Sequence, residues 1–213
     1  QEMKPSLDDL ITRYPRLDVC REDIQKAYDM LLECARGGRT ILVCGNGGSA
    51  ADSEHIVGEL MKGFLEKRPV GPELRQRLEE LDPETGSHLA SSLQMPIRAM
   101  SLTGHLSLST AFNNDVSADC TFAQQVLGFG KPGDVLIGLT TSGNSQNVVN
   151  AAVTARALEI KTIGFTGEAG GKLGKLADIC IRVPETETAL VQELHLPVYH
   201  TLCAMLEDAL FTH

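Results

Sequence analysis

Thr40-Ile41-Leu42-Val43-Cys44-Gly45-Asn46-Gly47-Gly48-Ser49 is the stretch on which the fold of this chain turns. It reads as a short apolar strand that runs into a glycine-rich turn, with a run of good helix formers over residues 49–64 behind it. The same design recurs downstream. Val135-Leu136-Ile137-Gly138-Leu139 is followed by Thr140-Thr141-Ser142-Gly143-Asn144-Ser145 and a helical stretch over 145–158. Each turn is expected to hold backbone N–H groups and hydroxyls at a helix N-terminus, which is a place for an anion and above all a phosphate. Two such turns in one small chain point to a phosphorylated small molecule held between them.

Working outward, short apolar runs over 40–44, 97–102, 134–139, 161–165 and 179–183 read as strands. Amphipathic stretches over 21–36, 49–64, 118–128, 145–158 and 189–210 read as helices, the first of them ended by Gly37-Gly38. Alternation of this kind predicts an α/β protein with a parallel sheet covered by helices on both faces and the ligand beyond the carboxyl ends of the strands. Residues 66–94 break the rhythm. They are polar, contain Pro69, Pro72, Pro83 and Gly86-Ser87, and suggest a short helix over 73–81. They read as a surface insertion, with a lid or a subunit contact as the functional alternative. The expected organisation is one domain over 1–213, with a helical segment over 1–38 leading into it.

The formal net charge of −9 speaks against a nucleic-acid grip, and Lys67 and Arg68 mark the one place where a local basic patch is expected. No apolar run approaches the roughly 20 residues that span a bilayer. No basic segment followed by an apolar one stands at the start. The six cysteines form no C-x-x-C pair and most sit among apolar neighbours. They read as reduced thiols of a cytoplasmic protein.

The second turn carries Thr140, Thr141, Ser142 and Ser145 around Gly143, with no Lys or Arg inside it. That is the make-up of a neutral phosphate cradle built from hydroxyls and a helix dipole. No Gly-Lys-Ser/Thr triplet is present, which argues against a Walker-type triphosphatase. Gly45-x-Gly47-x-x-Ala50 formally fits a dinucleotide fingerprint, but the acidic residue at the right distance, Glu66, has no strand before it. His55 and Glu59 lie four apart and share a helix face. Gln192 and His200, eight apart, are placed to converge on one ligand. Pro197 lies between them and is expected to interrupt the helix and expose the carbonyl of Glu193. His195 reads as a satisfied, partly buried histidine.

Taken together, Cys44-Gly45-Asn46-Gly47-Gly48-Ser49, His55 and Glu59, Thr141-Ser142-Gly143-Asn144-Ser145, and Gln192-Glu193-Leu194-His195 with His200 resemble the sugar isomerase (SIS) domain family, most of all its phosphoheptose isomerase branch. The resemblance runs from about residue 21 to 210, apart from 66–94. It implies a three-layer α/β/α, flavodoxin-like fold with a five-stranded parallel sheet and N-terminal helices. It also implies a homotetramer with active sites at subunit interfaces, a phosphorylated sugar as substrate, and one zinc ion per subunit. Carried over residue by residue, it makes His55, Glu59, Gln192 and His200 the metal ligands. Asn46, Gly47, Gly48, Ser49, Glu59, Asn114, Asp115, Thr140, Thr141, Ser142, Ser145 and Gln192 become substrate contacts. Glu59 and His200 become the acid/base pair of an aldose–ketose isomerisation through an enediol. Three departures stand out: the insertion over 66–94, longer than the resemblance expects, Gly63 where it expects arginine, with Lys62 beside it, and Ala189 where it expects aspartate. The alternative from another class is a non-catalytic phosphosugar-binding protein, a regulator or scaffold.

Overall fold

The computed structural model describes residues 5–212. Five strands, β1 (Ile41–Gly45), β2 (Ala99–Ser101), β3 (Val135–Leu139), β4 (Lys161–Thr166) and β5 (Ile179–Arg182), form one sheet in the order β2-β1-β3-β4-β5. Every pairing is parallel. Side chains alternate along each strand, so each contributes to both faces. Ile41 and Val43 of β1, Val135 and Ile137 of β3 and Phe165 of β4 enter one core, which is closed by α1 (Leu7–Arg13), α2 (Arg21–Arg36), α3 (Gly48–Met61) and α10 (Thr188–Phe211). Leu42, Cys44 and Leu136 enter the other, closed by α7 (Thr121–Phe129), α8 (Gln146–Ala157) and the single turn α9 (Leu173–Leu176). A parallel sheet buried on both sides explains why the strands read as unbroken apolar runs.

The prolines of the segment 66–94 start helices rather than break them. Pro72 opens α4 (Pro72–Leu81) and Pro83 opens α5 (Pro83–Ser92), where a missing N–H costs nothing. Asp82 caps α5 by accepting from the N–H of Thr85 at 2.7 Å. The two helices cross so closely at Gly86 that a β-carbon there would meet the carbonyl of Leu78. An antiparallel bridge between Pro69 and Gln94 closes the base of this helical hairpin.

Three expectations are corrected. The pattern predicts the helix after the first turn through residue 64, but α3 stops at Met61. Its last carbonyls, of Glu59 and Leu60, take the guanidinium of Arg68 at 3.1 and 2.7 Å, so the helix has no need to continue. Arg68 itself belongs to no basic patch. It is buried, and its Nε donates to Glu207 Oε2 at 2.7 Å while its guanidinium lies over the Phe211 ring. The other oxygen of Glu207 accepts from the N–H groups of Leu65 and Glu66, and Oε2 accepts from Phe64 as well. Burial alone would raise the Glu207 pKa, but these four donors bring it below the ordinary value. Finally, α10 is not interrupted at Pro197: it runs unbroken through it for 24 residues.

His195 is fully buried on α10, with Nε2 3.1 Å from the carbonyl of Thr166 and its ring edge-on to Phe165. It is more deeply buried than the sequence suggests, and only half satisfied, since Nδ1 has no partner. All six cysteines are free thiols. Among the described residues no helix is long and apolar enough to cross a membrane.

Two outcomes test this packing. Glu207→Ala strands a buried guanidinium and three backbone donors. It is expected to lower unfolding free energy by about 3–5 kcal/mol in urea titrations. Burial pushes the His195 pKa down to about 4, so the folded state holds the ring neutral. The native protein should therefore lose stability as pH falls from about 6.5, the unfolded value, towards the folded one. The free-energy gap between wild type and His195→Gln should narrow across that window by about 3 kcal/mol, read from denaturation midpoints at a series of pH values.

Candidate active site

The strand order places β1 and β3 side by side at the centre, with the chain passing first to β2 on one flank and later to β4 on the other. The crevice between the carboxyl ends of two such strands is where open α/β sheets bind ligands. Both glycine-rich turns lie there. In the first, Gly47 adopts φ +56°, and a β-carbon on Gly45 would strike the backbone of Ser49. In the second, Gly143 adopts φ +70° and packs against the carbonyl of Gly170, leaving no room for a β-carbon. The turns are tied together by a reciprocal amide pair, in which Asn46 and Asn147 each donate to the other at 2.8 Å. Neither helix that leaves a turn has a side-chain cap on its N-terminus. Those N-termini are the groups a phosphate would engage.

The hydroxyls are arranged differently from a ring of four around Gly143. Thr140 is buried and its hydroxyl pairs with that of Ser145 at 2.8 Å, instead of Ser145 capping α8. Two hydroxyls sharing one hydrogen bond retain one proton to give to a ligand. Ser142 is exposed and accepts from the N–H of Asn144. The backbone carbonyl of Thr141 takes the N–H of Gly167. Ser49 is buried beneath the first turn. Gln192, at the start of the second turn of α10, lays its amide against Gly48, within 2.7 Å of where a β-carbon would sit. Asn114 and Asp115, at the end of α6 (Leu106–Asp115), are exposed and hydrogen-bond to each other.

Further along α3, about 10 Å and about 16 Å from Gly48 at 1.5 Å rise per residue, His55 and Glu59 meet α10. His55 Nε2 is 3.2 Å from His200 Nε2 and 3.3 Å from Glu59 Oε1. The rings of His55 and His200 stand edge to face, and Phe64 leans on His200 from the other side. Glu59 Oε2 is buried and has no hydrogen-bond partner; the ammonium of Lys62 is 3.7 Å away, close enough to neutralise charge and too far to bond. The His200 pKa is held down by burial and by the neighbouring His55.

Sequence reasoning missed two members of this cluster. Tyr199 donates its hydroxyl to Asp52 Oδ1 at 2.8 Å and lies 3.2 Å from His55 Nδ1. Burial and then the Asp52 carboxylate push the Tyr199 pKa well up, so the phenol stays neutral. Asp52, His55 and Glu59 recur at helical spacing on one face of α3, a signal that was available. Tyr199 gave none, since a tyrosine on an apolar helix reads as core.

The donor set bears on a metal. Two imidazole nitrogens bound to one tetrahedral zinc at about 2.0–2.1 Å lie about 3.3 Å apart, and the His55–His200 separation is 3.2 Å. A carboxylate oxygen with nothing to bond to is the group such an ion would satisfy. His55, Glu59 and His200 thus have the chemistry for zinc. Among the described residues no three His, Cys, Asp or Glu side chains close around a single point. Gln192 is engaged at the Gly48 turn rather than at these rings. Lys62 is the cation beside the expected arginine position, and Gly63 has no space for a side chain, its β-carbon falling 2.3 Å from the carbonyl of Glu66.

The close approach at the second turn has a measurable effect. Gly143→Ala combines a strained φ with a backbone clash, whereas Gly38→Ala, at φ +64° in open space, suffers strain alone. Gly38→Ala should cost about 1–2 kcal/mol and Gly143→Ala distinctly more, read from parallel thermal melts.

The chain is similar to known proteins over most of its length. The SIS domain family model matches residues 16–90 and 76–167. The phosphoheptose isomerase of Rhodospirillum rubrum is 39% identical over 195 residues, covering 92% of this chain and 90% of that one. The solved phosphoheptose isomerase of Francisella tularensis superposes with a TM-score of 0.75 at 30% identity, over 92% of this chain and 91% of the other. That of Neisseria gonorrhoeae gives 0.67 at 34% identity, over 85% and 84%. With two phosphate-ready turns at the β1/β3 crevice and matches over nearly its whole length, the chain belongs to the SIS domain family and is related within it to the phosphoheptose isomerases.

Proposed function

We propose that the protein is a phosphosugar aldose–ketose isomerase of the phosphoheptose isomerase type, with sedoheptulose 7-phosphate as its substrate. The observation that carries this is the meeting of His55, Glu59 and His200 within 3.3 Å contacts, on the same helix α3 whose N-terminus forms the first anion turn. A ligand with a phosphate at one end and a carbonyl at the other suits the separation between turn and rings. The phosphate rests on the N-termini of α3 and α8 with the free hydroxyl proton of the Thr140–Ser145 pair. Asn46, Gly47, Gly48 and Ser142 line its approach, and Asn114 and Asp115 contribute to the sugar chain.

Isomerisation moves a proton between two carbons through an enediol, which calls for a base at carbon and an acid at the carbonyl oxygen. Glu59 is the base: Oε2 has no hydrogen bond to give up, and Lys62 offsets the charge it carries. His200 holds the proton at the carbonyl oxygen, and burial and the neighbouring His55, which favour its neutral form, make that proton easier to give up. His55, Glu59 and His200 would hold zinc, with Gln192 as the fourth ligand after leaving Gly48; when bound, the ion polarises the carbonyl as a Lewis acid. A homotetramer with active sites at its interfaces is supported by large apolar side chains left in solvent, among them Leu106 and Val116 flanking α6. Free thiols throughout support a cytoplasmic location.

The test is turnover of sedoheptulose 7-phosphate by wild type and Glu59→Gln. The variant should lose about 10²–10⁴-fold in kcat while still binding the sugar phosphate. Normal turnover by Glu59→Gln would remove the base assignment. Tight binding of the sugar phosphate without turnover by wild type would favour the regulatory role instead.

A further inference from the structure

We infer that Tyr199 and Asp52 are positioning residues that fix the tautomer of His55 and aim its Nε2 lone pair at the reaction centre. The inference rests on the reading of His55 as a working group of the site, but its evidence is a hydrogen-bond chain within the molecule.

The Tyr199 hydroxyl touches two partners, Asp52 Oδ1 at 2.8 Å and His55 Nδ1 at 3.2 Å. It has one proton to give. An ionised Asp52 only accepts, so the proton goes there. The phenol oxygen then presents a lone pair to Nδ1, and the contact is a hydrogen bond only if Nδ1 carries the imidazole proton. Nε2 is left bare, facing His200 Nε2 at 3.2 Å and Glu59 Oε1 at 3.3 Å. The opposite tautomer would set two lone pairs against each other at Nδ1, whereas with Nδ1 protonated the lone pairs that meet are those of Nε2 and Glu59 Oε1, two atoms that a zinc ion would join. Which nitrogen of a histidine works is generally decided by the partner of the other nitrogen. Here that partner is a phenol whose own direction is set by a carboxylate, a carboxylate–phenol–imidazole series in which each member orients the next. The geometry is rigid. Tyr199 is buried, its ring stands edge-on to His55 at 5.6 Å, and Asp52 and His55 are one turn apart on α3. Tyr199 also stands edge-on to His200, with ring centroids 5.2 Å apart, but its hydroxyl bonds to Asp52 and His55, so the hydrogen-bond series reaches the site through His55.

The experiment reads the ring nitrogens of His55 directly, by two-dimensional ¹⁵N–¹H correlation on the labelled full chain before and after zinc addition. Wild type is expected to show Nδ1 protonated and Nε2 bare. Tyr199→Phe, which keeps the ring and removes the hydroxyl, should shift His55 towards the other tautomer. It should also weaken zinc binding about 10–100-fold in chelator competition and lower kcat with little change in KM. Asp52→Asn, whose amide gives the phenol no fixed direction, should yield a mixture of tautomers, and decides the matter if Tyr199→Phe does not fold. Wild-type His55 protonated on Nε2, or a tautomer unchanged in both variants, would overturn the inference. Absence of phosphosugar turnover by wild type would overturn the isomerase reading and leave the ring-nitrogen result standing.

Discussion

The buried ion pair between Arg68 and Glu207 holds the two ends of this architecture together. Two opposite charges removed from water are stable only when every donor and acceptor is used. Glu207 approaches that condition by accepting from three consecutive backbone N–H groups as well as from the guanidinium, and Arg68 by giving two further N–H groups to the carbonyls of Glu59 and Leu60 near the end of α3. The result is a clasp between the first crossover helix and the last helix. The clasp ends α3 two residues after Glu59 and seats Phe64 beside His200. The pairing of an early helix with a late one, on which the imidazole contact depends, follows from it.

The sheet supplies the other half. Because β1 and β3 are neighbours while the chain leaves in opposite directions from them, the turns after both strands open onto one crevice. The glycines there serve different ends. Gly45 and Gly143 allow backbone to pass close to backbone, and Gly47 supplies a conformation other residues resist. The Asn46–Asn147 pair then makes a single rigid unit of the two turns.

Much of this was readable from the chain. Strand–helix alternation gave the sheet and its layers, and the turns marked their own place in it, because short-range patterns encode short-range structure. What escaped reading depends on distant partners. Arg68 looked like a surface cation because its counter-charge lies 139 residues away, and the hydroxyl of Tyr199 finds its acceptor 147 residues away. The second strand reads as six residues and pairs over three, since only that much of the edge lies alongside β1. Helix α6 has no buried residue and so no periodic apolar face to betray it. For the four hydroxyls of the second turn, composition shows only that they are present, and geometry alone shows that Thr140 pairs with Ser145. The convergence of His55, Glu59 and His200 came from resemblance to a family, since spacing alone links no residue of α3 to one of α10.

Gly63 ties the helical hairpin to the charge beside the rings. Its Cα hydrogen faces the carbonyl of Glu66, its N–H is taken by the Gln94 side chain, and the bridge between Pro69 and Gln94 roots the hairpin α4/α5 on the same neighbours. Any side chain at that point would force the hairpin's root to be rebuilt. Positive charge on this flank therefore has to come from a neighbour, as it does from Lys62, so the backbone course of the hairpin and the electrostatics around Glu59 cannot be altered independently.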